Sequence, residues 1–61
     1  MRYQVSFQKL IWGVPFVISS INIRRARSAE RALRAAELRF SREHGLASWR
    51  ELADQIDVEV A

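Results

Sequence analysis

The first eight residues alternate without a break: Met1, Tyr3, Val5 and Phe7 are apolar, while Arg2, Gln4, Ser6 and Gln8 are polar. Successive strand side chains point to opposite faces, so this period of two specifies a strand with one face buried and one wet. Such a strand needs a neighbour to pair with and a layer to cover it. A second run, Phe16 to Arg24, supplies the neighbour. Its alternation places Val17, Ser19, Ile21 and Ile23 toward the core, and Phe16, Ile18, Ser20 and Asn22 on the open face. Gly13 lies between the runs and is free to take positive φ, so a turn near Trp12–Gly13 makes a hairpin, with Pro15 keeping the start of the return strand irregular.

A helix supplies the covering layer. Ser28 has the chemistry of a helix N-cap, Glu30 sits in the first turn where a carboxylate complements the helix dipole, and Gly45 is the stop. Between them Ala29, Ala32, Leu33, Ala36 and Phe40 keep the spacing of one buried helix face, rich in alanine so that the helix can approach a sheet closely. Ser48-Trp49-Arg50-Glu51 has capping-box spacing and starts a short helix running to about Asp54. The chain closes on a third strand, where Ile56, Val58 and Val60 alternate with Gln55, Asp57 and Glu59.

The order β-β-α-(short α)-β reads as one α+β domain over residues 1–61. A right-handed helical crossover leaves strands two and three parallel to each other and places strand one between them, giving a three-stranded antiparallel-type sheet of order 2-1-3 with the main helix on one face. Arg2, Gln4, Ser6, Gln8, Asp57 and Glu59 then share the other face, where Arg2 is expected to pair with Asp57 or Glu59.

Within the chain, "REHGLASWREL", Arg42 to Leu52, resembles a helix-HG-x-x-SW-x-x-L-helix element found in some bacterial ankyrin-repeat and glyoxalase-related proteins. The likeness covers about a sixth of the chain, concerns a corner between helices, and carries over no functional residue. On physical grounds alone Gly45 ends the helix, Leu46 packs back over its last turn and Trp49 roofs the core. "SWRELADQIDV" is also similar to the first helix of a helix-turn-helix, but only an acidic, strand-like end remains where a recognition helix is required.

Sixty-one residues without cysteine have only a small core, worth roughly 3–5 kcal/mol net, so oligomerisation or a partner is one expected contributor to the folded state. The lack of cysteine excludes disulfide staples and thiolate metal sites and fits a reducing compartment, so a cytoplasmic location is expected. Arg2 and Lys9 ahead of the apolar run Leu10 to Ile18 have the outline of a secretory signal, but Gly13 and Pro15 interrupt the run and no small-x-small cleavage site is present. The run also falls short of the ~20 residues that span a bilayer, and no membrane association is expected.

Catalytic groups are sparse. His44, the one histidine, falls in the last helical turn, where a cation favours the dipole. A triad would need it to converge with Ser41 or Ser48 and with Asp54. The acids Glu43, Glu51, Asp54, Asp57 and Glu59 lack cation-loop spacing. The chain is expected to be no enzyme, with no catalytic residues, cofactor or metal.

Charge divides along the chain: +2 over residues 1–23, +5 over 24–42 and −4 over 43–61, for a net +3. Arg24, Arg25, Arg31, Arg34 and Arg42, with Arg27, form a basic face of the kind that binds phosphate. Glu30–Arg34 and Arg39–Glu43 are, however, ordinary i, i+4 pairs, and Leu38 among the arginines suits a protein surface better than a phosphate track. The largest anomaly is "KLIWGVPF", Lys9 to Phe16: either Trp12 or Ile11 folds back over the end of the core, or the tip carries more apolar side chains than a turn needs because it meets another chain. Leu10, Trp12, Phe16 and Ile18, with Leu38, are the expected partner-binding residues.

The chain is thus expected to be a protein-interaction module that uses the apolar hairpin, assisted by the arginine-rich helix face against a partner with an acidic surface; its self-contact form is a homodimer joined sheet to sheet or edge to edge. Free-standing chains of this size and type are common among phage and mobile-element inhibitors of host complexes, anti-CRISPR proteins among them; that analogy rests on size and on the missing catalytic groups. The alternative is a basic nucleic-acid-binding homodimer.

Overall fold

The structure, a computed structural model, describes residues 1–61. The chain runs through β1 (Tyr3–Ile11), β2 (Val14–Ile23), α1 (Ala29–His44), a 3₁₀ turn (Trp49–Glu51) and β3 (Gln55–Val60). The strands form one open sheet in the order β2-β1-β3, with β1 antiparallel to both neighbours. This is the expected α+β architecture and strand order.

Each boundary has a local cause. Ser28 accepts a hydrogen bond from the Arg31 N–H through its Oγ at 3.2 Å and caps α1. Gly45 takes φ 65°, the left-handed conformation in which a β-carbon is penalised. There its N–H and that of Leu46 donate to the Arg42 and Ser41 carbonyls, closing the helix in a Schellman turn. The capping box at Ser48 and Glu51 is formed, and the Glu51 carboxylate also accepts from the Ala47 N–H. The box starts only a single 3₁₀ turn, Trp49–Glu51, rather than the expected helix to Asp54. The reason is tertiary: the Asp54 N–H donates to the Gln8 carbonyl at 2.8 Å, which draws the chain into the sheet one turn after the helix starts.

The core lies between α1 and the half of the sheet nearest the β1 start. Val5, Phe7, Ile21, Ala36, Phe40 and Ala53 are buried together, with Ile23, Leu33, Leu46, Trp49, Ile56 and Val58 packed around them. Phe7 of the sheet and Phe40 of the helix stack at 4.1 Å with rings 9° from parallel. Trp49 stands edge-on to Phe7 at 6.1 Å, and the Arg50 guanidinium covers its outer face. Ala32 and Ala36 are fully buried, as a helix lying close on a sheet requires.

One irregularity redirects half of the hairpin. Phe7 pairs with Ser19 but Gln8 pairs with Val17, so Ile18 is the extra residue of a β-bulge in β2. A one-residue insertion reverses every side chain of β2 on its tip side relative to the expected register, because the strand period is two. The expected faces of Phe16 and Val17 are therefore exchanged. Val17 lies opposite Gln8 on the open face, while Phe16 lies opposite Lys9 on the face that carries Phe7. The open face proper carries Gln4, Ser6 and Gln8 beside Glu59, Asp57 and Gln55, as expected. Arg2 makes no ion pair there; the pairs that form are Lys9–Asp54, Glu30–Arg34 and Arg39–Glu43.

Candidate interaction surface: the hairpin arm

The hairpin is longer than the sheet that supports it. β3 pairs with β1 only from Tyr3 to Gln8, whereas β1 and β2 stay paired to Ile11 and Val14. Residues 9–17 thus form a two-stranded arm, and none of them belongs to the core or to the apolar shell around it. Seven large apolar side chains of the hairpin, Leu10, Ile11, Trp12, Val14, Phe16, Val17 and Ile18, are exposed. Isolated exposed apolar residues are ordinary; a continuous run on one projecting element is not.

The tip is a two-residue loop with positive φ at both positions, Trp12 at 54° and Gly13 at 77°, as a type I′ turn requires. Glycine takes this backbone freely. A large L-residue does not, at a cost of about 1–2 kcal/mol. Asparagine, aspartate or glycine would fill the position more easily, yet tryptophan stands there with 98% of its surface exposed. It neither folds back over the core nor finds a neighbour within the fold.

The base of the arm is clamped. Just before β3 begins, the Asp54 carboxylate accepts the Leu10 N–H at 2.7 Å, replacing the next rung of the ladder, and the Lys9 ammonium lies 4.0 Å away. Because the Leu10 N–H points toward β3, Leu10 and Pro15 form a pair without mutual hydrogen bonds, and the Pro15 nitrogen faces the free edge of β2 where no donor is missed. Asp54 is a site residue that the sequence placed among scattered acids and as the carboxylate of a candidate triad, not at the hairpin. Its position one residue before β3 was the available signal.

The basic residues lie elsewhere. Arg31, Arg34, Leu38 and Arg42 are set on the outer side of α1, Leu38 being 67% exposed. Arg24 and Arg25 come after the end of β2 that is remote from the tip. Two shallow depressions are lined by Ser28, Glu30, Arg31 and Arg34, and by Arg2, Tyr3, Asn22, Ile23, Arg24 and Ala61. Neither reaches the arm, so the structure separates the apolar partner-binding candidates from the basic ones, with Leu38 on the basic side.

The triad candidates are likewise dispersed among structural tasks. The His44 Nδ1 lies 2.9 Å from the Phe40 carbonyl and its ring 4.3 Å from the Phe40 ring. Ser48 caps the 3₁₀ turn, and Asp54 holds the arm. No helix is long and apolar enough to cross a membrane. Compared with family models, curated proteins and solved structures, the chain matches none.

Proposed function

We propose that this chain is a non-enzymatic protein-interaction module that engages another polypeptide through the hairpin arm. The observation that carries the reading is Trp12: a large aromatic side chain held in a left-handed backbone, almost wholly exposed, at the tip of an arm that contributes nothing to the core. Strain without an internal return argues for an external one. Aromatic anchors are where binding energy concentrates, and an arm with apolar side chains on both faces can be enclosed on both sides. The narrower expectation of an inhibitor of a host complex, from a phage or mobile element, rests on size and composition; the arm adds a contact element suited to that role.

The test is association read with nucleic acid removed. Recovery of a partner from a nuclease-treated extract should withstand high salt and disappear with Trp12→Ala or Ile18→Asp, while far-UV circular dichroism is unchanged. Recovery indifferent to both variants overturns the reading. A second reading, nucleic-acid binding, is favoured by one observation: of the seven arginines in residues 24–42, only Arg34 and Arg39 are ion-paired. It predicts instead an affinity that falls steeply with salt and is lost when Arg31 and Arg42 become alanine.

A further inference from the structure

We infer that the occupant of the arm is a second copy of this chain, packed about a two-fold axis through the arm face that carries Ile11, Val14 and Phe16. The inference rests on the arm being the binding surface and adds the identity of what binds it. Three observations lead to it.

The first is continuity. By register, Ile11, Val14 and Phe16 share the face of the sheet that buries Val5, Phe7 and Ile21. Apart from Lys9, which lies beside Phe16 on this face and 4.0 Å from Asp54, the core layer therefore continues along the arm; its helical cover does not, since no residue of the arm belongs to the core or to the shell around it. The opposite face is different: beyond Leu10, Pro15 and Val17 it turns polar at Gln8, Ser6 and Gln4. A self-complementary contact needs the same patch on both copies, and the core-side patch is the one that two copies can turn into a shared core.

The second is area. A compact monomer of 7.1 kDa exposes about 4,100 Å², whereas this chain exposes 4644 Å². The excess is roughly 500 Å² per copy, or about 1,000 Å² for two, which is where specific interfaces begin. The chain has no cysteine to staple its small core; association is the remaining common means by which domains of this size gain stability.

The third is the shape of the alternatives. Edge-to-edge pairing through β2 is opposed by its bulge at Ile18 and by Pro15, both devices that blunt a free edge. Pairing through the outer edge of β3, centred on Val58, would set Asp57 directly against Glu59 of the other copy, twice over, and like charges placed opposite repel. Face-to-face arm packing meets a smaller obstacle: Lys9, the only charged residue between Gln8 and Ile23, lies beside Phe16 on this face, and the Asp54 carboxylate 4.0 Å away offsets its charge.

Sedimentation equilibrium of the pure chain between about 1 and 200 µM should give a mass approaching twice 7.1 kDa. Phe16→Asp and Ile11→Asp should weaken the dimer at least ~tenfold with circular dichroism unchanged, and Leu38→Asp should leave it intact. A dimer that survives Phe16→Asp, or one lost with Leu38→Asp alone, overturns the inference, as does a monomer at every concentration. A photo-crosslinking residue at position 12 separates the two readings. If the chain is monomeric yet forms adducts with another protein that Phe16→Asp abolishes, the second copy is wrong and the arm stands. If it is monomeric and forms none, both fall.

Discussion

The two halves of the β-hairpin share one ladder but live in different surroundings. From Tyr3 to Phe7 the strand is flanked on both sides, roofed by α1, and buries every second side chain. From Lys9 onward the same strand has one neighbour, no roof and no buried residue. Hydrophobicity does not distinguish them, since large apolar side chains are as frequent in the wet half as in the dry one. Burial is thus decided by where α1 and β3 stop, and the apolar side chains left beyond that line are available to something outside the monomer.

Substitutions in the two halves should therefore separate cleanly. The largest effect belongs to the dry half. Phe40→Ala removes the ring stacked on Phe7, from a site that cannot collapse without moving the helix. A loss of about 3–5 kcal/mol equals most of the stability a domain of this size commands, so the expected result is a chain largely unfolded by circular dichroism at 25 °C. A cooperative transition little changed from the parent would show that the aromatic stack is not the keystone.

Gly45→Ala ranks next. An added β-carbon would touch nothing within 4 Å, so only the left-handed backbone is penalised. Urea titration should register a loss of about 1–2 kcal/mol with an unchanged m-value. At the junction of the halves, Asp54→Ala removes the acceptor of the Leu10 N–H at an exposed site, for a global loss of about 1 kcal/mol. Its sharper signature is local: hydrogen exchange at Leu10 should accelerate well beyond that at Val5. Equal acceleration of both amides would mean that the arm and the core open as one unit, erasing the distinction between them.

The smallest effect has the opposite sign. Trp12→Asn relieves the unfavourable turn backbone without exposing anything new, and should raise stability by up to about 1 kcal/mol while abolishing association. A variant that is both more stable and inactive marks a residue kept for contact. A destabilised Trp12→Asn would instead place Trp12 within the energetics of the fold.

Much of this architecture was legible in the chain itself, because it depends on local rules. Period-two alternation located the strands, Gly13 the turn, Ser28 and Gly45 the helix ends, and the handedness of the crossover the strand order. Trp12 stood out for the same reason, as a side chain that a turn does not need. Legibility ended where two segments had to meet. Nothing in "FVISS" announces a bulge at Ile18, since the sequence alternates plausibly with or without it. The bulge shows only in the pairing of Gln8 with Val17 instead of Ile18, and it reverses the faces of Phe16 and Val17. Asp54 likewise reads as a solvated acid until the start of β3 sets it beside the Leu10 N–H and turns it into a clamp. Alternation, capping and turn chemistry are properties of neighbours in the chain, so residues alone determine them. Register and support are properties of neighbours in space, and only the tertiary structure decided which apolar residues became core and which became the arm.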